Sequence, residues 1–501
     1  MAVIPVAPTL RVIERTTDKA VWAFDLQSAL NRAQPGDTLE LMPGRYGQAV
    51  VMSRSGTAAK PITIRGPKDK SAIFDPARSR EDGRNGGLEP MDDDFAFLKL
   101  IHTRGIVLEN VSFENCWPTA IFMRSVKDIT IRDCQCTGSR FFAFARQLSF
   151  ARTRRLMIER VKWVQDPDHD MWDGRTTWPE VKARPGQYDA SYFNGAFFGS
   201  FDIDGQVTIR DCEISHAFNG IRMDIRRKRI KQGRDGPRVT RNRDVAIYRN
   251  SFSFIRDNAI EPEMGAENWR IFKNRFFNNH APFSLDGVAV RDFFIISNLV
   301  LNNRRPGLVG QENQAGKIFK FLGLPKHTGN MKPMPRKGLW TLFNSVQTRT
   351  SYSKKSRTAE WNDAYNAVGL YAAEHPENPG APRPAFGAMV WNEKIHITGL
   401  ATNDADYPES YIAEGAQVHG FAPVEKVFNL RAFEIDPNLP LGGWNGQLAK
   451  SAKTKKLKSK KLIIKRVGQP DLIIKAGLTP GYQELQVLGL SDWENESPLV
   501  G

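Results

Sequence analysis

Ile247 Tyr248 Arg249 Asn250 Ser251 Phe252 returns as Ile271 Phe272 Lys273 Asn274 Arg275 Phe276 and again as Ile295 Ile296 Ser297 Asn298 Leu299 Val300, so the copies begin at residues 247, 271 and 295, a period of 24. The same frame finds further copies at 108–113, 131–136, 158–163 and 209–214, and a looser one at 341–346. Self-similarity at a short fixed period marks a solenoid, in which each repeat buries its apolar face only by stacking on its neighbours. The first, fourth and sixth positions of each copy are apolar or amide and are predicted to face inward. The fourth is held by Val111, Cys134, Val161, Cys212, Asn250, Asn274 and Asn298. Stacked Asn side chains can bond along a ladder, and Val or Cys fills the same slot apolarly.

A second strand is expected after a short turn, at 120–123, 220–224, 259–263 and 282–286. In these, Ile121, Ile221, Ile260 and Phe283 take equivalent inward positions, and Met123, Met223, Pro262 and Leu285 follow two residues on, as the two-residue period of a strand requires. Short strands with no room for a crossover helix mean the coils of a parallel β-helix. A β-propeller would need four strands per blade and a repeat of about 40 residues or more.

The beginning of the chain carries a resemblance. Asp25 Leu26 Gln27 Ser28 Ala29 Leu30, then Gln34 Pro35 Gly36 Asp37 Thr38 Leu39 Glu40 Leu41 and Pro43 Gly44 Arg45 Tyr46, resembles the opening of right-handed β-helix proteins of the pectin-lyase-like superfamily. Gly56 Thr57 Ala58 Ala59 Lys60 Pro61 Ile62 Thr63 Ile64 Arg65 Gly66 resembles the chondroitinase B and alginate lyase branch. Residues 26–33 read as a short amphipathic helix that plugs the open end of the stack, stopped by Pro35 and Gly36. The expected organisation is therefore an N-terminal segment with a capping helix (1–35), a single all-β right-handed parallel β-helix (36–440) and a basic C-terminal extension (441–501). Phe433 Glu434 Ile435 Asp436 Pro437 resembles a closing turn.

Composition narrows the class. With 41% hydrophobic and 25% charged residues the chain is globular, not disordered or collagen-like. No apolar run approaches the roughly 18 to 20 residues that cross a bilayer. Lys and Arg number 71 against 55 Asp and Glu, a net charge of +16, which favours a polyanionic partner. Among polyanions, nucleic acid is set aside, because the basic residues gather at 226–243 and 453–466 without a recognition module. Acidic polysaccharide is the expected partner. The four cysteines, Cys116, Cys134, Cys136 and Cys212, lack the spacing of zinc ligands and are too few for a disulfide scaffold, so they read as packed interior thiols. The N-terminus shows no basic stretch followed by a long apolar one; the expectation is that a leader has been removed and that the protein works in an extracellular or periplasmic place.

The outward positions of the second strand form two columns: Arg222, Glu261 and Ser284, then Asp224, Glu263 and Asp286. Adjacent coils lie about 4.8 Å apart. Carboxylates stacked that closely need a cation, a shared proton or a nearby Arg, unless they are merely solvated charges on an exposed strand. Arg222, Asp224, Glu261, Glu263 and Asp286 are thus the expected catalytic residues. The resemblance implies that Glu261 and Glu263 match paired glutamates that bind calcium in that branch; the stacking itself adds Asp286 as a third expected ligand of an oxygen-rich Ca²⁺ site. It also implies a lysine base that this chain does not preserve, since Met264 and Gly265 follow Glu263.

Around these columns, Tyr192, Asp202, His216 and His280 are expected to bind substrate. Each His has the plain alternative of a turn or surface residue. Trp172, Trp178, Tyr188, Tyr192, Phe193, Phe197 and Phe198 form an aromatic border suited to sugar rings or to packing an inserted loop. Asp166 Pro167 Asp168 His169 Asp170 is similar to the Asp-Pro-His-Asp signature of alginate C5-epimerases with one residue inserted, or is a Pro-led acidic turn. Asp202 and Asp204 with Asp224 could support inverting hydrolysis. The sequence thus points first to β-elimination on an acidic, uronate-containing polysaccharide, second to glycoside hydrolysis, and third to a non-catalytic glycan-binding surface protein.

Overall fold

Each coil is built from three strands. In one coil Arg243–Tyr248, Ser251–Ile255 and Asn258–Glu263 follow one another, and the next repeats them as Gly265–Phe272, Arg275–Phe277 and Ala281–Ser284. The computed structural model describes residues 1–9, 11–14, 20–83, 89–148, 151–177, 193–233, 236–285, 289–302, 317–320, 339–342, 344–348, 351–353, 361–364, 367–371, 384–391, 394–397, 461–464 and 472–475. Among them the strands gather into sheets of 12, 13 and 10, here called first, second and third. Pairing between coils is parallel, and the stack is a right-handed parallel β-helix, the hand favoured for parallel crossovers.

The repeated hexamer does not form one strand, as its pattern suggested; it crosses the corner between the first and second sheets. Its third position, Asn110, Asp133, Arg160, Asp211, Arg249, Lys273 and Ser297 in successive coils, is left-handed with φ of 51–59°. The chain turns there, and the fourth position points inward again. Its first positions pair in register, Leu108 with Ile131, then Ile158, Ile209, Ile247, Ile271, Ile295 and Thr341. The sixth positions pair likewise from Phe113 to Val346 on the second sheet.

At the corner the amides form the expected ladder. Asn250 Nδ2 donates to Asn274 Oδ1 at 3.0 Å, Asn274 to Asn298 at 3.0 Å and Asn298 to Asn344 at 2.9 Å. Each of these carbonyl oxygens also accepts the backbone N–H of the preceding Asn, and Nδ2 donates to Ile209, Ile247 or Ile271 C=O. Buried polar groups are thereby satisfied at a bend where the sheet ladders cannot reach. The cysteines are free and buried, and burial pushes the Cys134 and Cys136 thiols up to about 12, which leaves them as packing groups.

Leu26–Arg32 is the capping helix. Asp25 caps its first turn by accepting from Ser28 N–H at 2.9 Å, and Leu26, Ala29 and Leu30 close the end of the core. The first strand of the stack precedes this helix, since Val3–Val6 pairs in parallel with Thr38–Leu41. Described coils continue to Ala367–Tyr371, after which Pro384–Trp391 and Lys394–Ile397 pair antiparallel. The turn at 433–437 and the boundary at 440 lie outside the described residues, and of the C-terminal extension only the hairpin Lys461–Ile464 with Leu472–Lys475 is described.

Candidate active site

The third sheet holds Thr119–Arg124, Phe141–Arg146, Ala196–Phe201, Asn219–Asp224, Asn258–Glu263 and Ala281–Ser284 in consecutive coils. Ile121, Ala143, Phe198, Ile221, Ile260 and Phe283 line up inward. The alternate residues therefore project outward, and the register sets Arg222 opposite Glu261 and Asp224 opposite Glu263. Arg222 reaches diagonally, with Nη2 donating to Glu263 Oε2 at 2.9 Å. Glu261 Oε1 accepts from Asn258 Nδ2 at 2.8 Å and Ser284 Oγ at 3.3 Å, and Asp224 Oδ1 accepts from Ile225 N–H at 2.7 Å.

This cluster is largely withdrawn from water. The Arg222 side chain is 15% exposed and that of Glu263 28%. Burial and the neighbouring Glu263 charge push Asp224 up to about 8, against the opposing pull of Arg222. Burial, with Glu263 and Asp257, pushes Glu261 up to about 7. Burial alone would lower Arg222, but Glu263, Glu261 and Asp224 outweigh it and hold the guanidinium above its ordinary value. The result is a fixed cation among carboxyls that share protons near neutral pH, an arrangement suited to proton transfer.

A fifth charged residue joins them from outside the repeat. Glu89 begins a segment that leads into Ala96–Ile101 and crosses the outer face: Pro90 C=O accepts from Arg146 Nη1 at 2.8 Å and Asp92 C=O from Lys99 Nζ at 2.6 Å. Burial raises the Glu89 carboxyl, Arg146, Arg222 and Arg226 pull it back, and its charge in turn raises Asp224. On the other side, Phe141 and Phe144 close over Gly199, which occupies the Arg222 column one coil earlier. A Cβ there would lie 2.6 Å from the Phe144 ring and 2.8 Å from Phe141, so glycine lets this apolar wall approach the sheet.

Of the expected calcium ligands, the described residues include Glu261 and Glu263, one in each outward column. Arg222 supplies the positive charge beside Glu263, and no third His, Cys, Asp or Glu there brings a ligand atom close enough to share an ion with Glu261 and Glu263; Asp286 lies outside the described residues. The acidic group whose ligand atoms do lie within 4.8 Å of one another is Asp166, Asp168 and Asp170. There Asp170 pairs with Arg80 at 3.3 Å and Arg175 at 2.9 Å, and burial pushes Asp166 up to about 6.

The other expected site residues fall elsewhere, chiefly because the coil has three strands. His216 lies within the second-sheet strand Glu213–Ala217, with its ring stacked 3.5 Å from His169 and 4.6 Å from Phe254. His280 is buried at the bend before Ala281–Ser284, where burial pushes it down to about 3, so it stays a neutral imidazole at working pH. Asp202 is buried and pairs with Arg226 and Arg229, and Asp204 pairs with Arg152 and Arg241. Phe197 stacks on Phe142 in the core, and Phe193 packs with Trp117, Met171 and Phe218. These aromatics are packing residues. Tyr192, with Trp178 and Tyr188, lies outside the described residues.

No family model matches the sequence, and no curated protein sequence matches it. The chain is similar in structure to pectate lyase Pel9A, at 11% identity, 72% coverage of this chain, 79% of that one and a TM-score of 0.43. It is similar to an alginate lyase from Paenibacillus sp. str. FPU-7, at 10% identity, 72% and 97% coverage and a TM-score of 0.33. It is also similar to an endo-xylogalacturonan hydrolase from Aspergillus tubingensis, at 9% identity, 71% and 92% coverage and a TM-score of 0.40. At such identities the likeness is one of fold alone.

Proposed function

We propose that this chain is a carbohydrate-active enzyme that cleaves an acidic, uronate-containing polysaccharide by β-elimination, with its active centre on the outer face of the third sheet. The observation that carries this reading is the Arg222 guanidinium held among carboxyls of which Asp224 keeps its proton at neutral pH while Glu261, at about 7, is divided between its ionised and protonated forms. Elimination needs the sugar carboxylate neutralised, a base for the proton beside it and an acid for the leaving oxygen. In this proposal Arg222 meets the uronate carboxylate. An ionised carboxyl, Glu261, takes the proton from the carbon bearing it; that electron pair forms the ring double bond as the glycosidic C–O bond breaks, and Asp224 protonates the departing oxygen.

Hydrolysis is the second reading, favoured by one feature of the same cluster: two carboxyls raised toward neutral pH, Asp224 and Glu261, stand on adjacent coils of one face, where one can serve as acid and the other as base. The polymer class places the work outside the cell membrane, extracellular or periplasmic; for its part, no helix among the described residues is long and apolar enough to cross a membrane. Incubation with a panel of uronate-containing and neutral polysaccharides, followed by mass spectrometry, tests the reading. Unsaturated uronate ends support elimination, saturated reducing ends support hydrolysis, and binding without cleavage means a glycan-binding protein.

A further inference from the structure

The Asp224 column does not end at the carboxyl cluster. Going back coil by coil, Glu263 and Asp224 are followed in register by Phe201, Arg146 and Arg124. Arg146 lies two coils from Asp224, about 10 Å, and Arg124 one coil further. Beside them is a cavity of about 250 Å³ whose polar lining includes Arg124, Arg146, Arg226 and Arg229 against Asp92 and Asp202. Four guanidiniums face two carboxylates, so the cavity has an excess of two positive charges.

The arginines are held in place. The Arg146 and Arg226 guanidiniums stand 5.5 Å and 5.6 Å from the Phe201 ring centre, which fixes both against one aromatic surface. Asp202, its side chain 6% exposed, pairs with Arg226 at 3.5 Å and Arg229 at 3.4 Å. The insertion carrying them is itself anchored, with Ile225, Ile230 and Val239 packed on Ala289. The Arg226 side chain remains 50% exposed, so its charge is open to a ligand.

Resting on the reading of the third-sheet face as a polysaccharide site, we infer that this cavity is a subsite for the carboxylate of a second uronate unit of the same chain. Planar guanidinium forks match carboxylates, and a rigid preformed set loses little freedom on binding. A ligand that fills both places spans about 10 Å, a distance that an oligosaccharide covers and a single sugar does not.

The test is calorimetric titration of the full chain, in a Glu263→Gln background to suppress turnover, with hexagalacturonate, hexamannuronate and a sulfated, carboxyl-reduced oligosaccharide. One of the uronate hexamers is expected to bind, and Arg146→Ala and Arg226→Ala are each expected to weaken it on the order of tenfold. Arg226→Gln, which removes the charge but keeps part of the aliphatic stem and a polar end, should show the same loss where circular dichroism shows the alanine variant misfolded. Unchanged affinity in the folded variants, absence of binding by either uronate hexamer, or binding of the sulfated oligosaccharide alone would overturn the subsite. These outcomes separate from the fate of the catalytic reading, because binding is read without cleavage and the polysaccharide panel is read without the cavity variants.

Discussion

Asp224 and Glu261 are acids by position, not by residue type. On the outer face of a solenoid most carboxylates are solvated; here the Phe141 and Phe144 wall, the segment from Glu89 to Phe95 and the neighbouring charges take water away. Asp224 at about 8 in the folded chain and near 3.8 when unfolded binds more protons folded across that window, so it lowers stability progressively as pH rises from about 4 to 8. Asp224→Asn removes this penalty. Its melting temperature relative to the unsubstituted chain is expected to rise between pH 5 and pH 9, and a difference that stays constant across that range would refute the raised acid. Arg222, Glu261 and Glu263 were legible in the sequence because the two-residue alternation from Ile221 and Ile260 places them outward. Glu89 was not legible, since it lies outside the 24-residue frame and reaches the cluster only through the path of its loop. Asp202 was legible as a polar residue of this face, but its pairing with Arg226 and Arg229 was not, since those arginines belong to the insertion outside the repeat.

At the scale of the element, the corner between first and second sheets explains both the repeat and its misreading. A strand-like hexamer with an apolar first and sixth position looked like one strand, while the left-handed residue at its third position bends it into two. Nothing in Arg249 or Lys273 announces that conformation, which Asn and Asp adopt more readily. The Asn ladder, by contrast, follows from residue type and spacing alone. Asn274→Ala would strip the acceptor from Asn250 N–H and Nδ2 and the donor from Ile247 C=O, and buried groups so orphaned cost about 1–3 kcal/mol each. A loss of at least about 2 kcal/mol in urea unfolding is expected; a change within about 0.5 kcal/mol would show that the ladder is decoration on a core held by the stacked Phe252 and Phe276 rings and their neighbours.

For the whole molecule, charge and architecture converge on one face. The formal charge of +16 is spread widely, but the third sheet gathers Arg124, Arg146 and Arg222 along its outer columns, with Arg226 and Arg229 beside them. Substrate affinity should fall as salt rises, since exposed charges are screened over about 8 Å at physiological ionic strength. Because Arg222 stands where a cation would otherwise be needed, activity is expected to survive chelator treatment, and loss restored by calcium would return the metal to the mechanism. The central claim is tested most directly by the products formed from uronate polysaccharides by the unsubstituted chain beside Arg222→Ala and Glu263→Gln. The account predicts unsaturated uronate ends from the unsubstituted chain and a fall of orders of magnitude in both variants; undiminished cleavage by the variants, or products with saturated ends only, would contradict it.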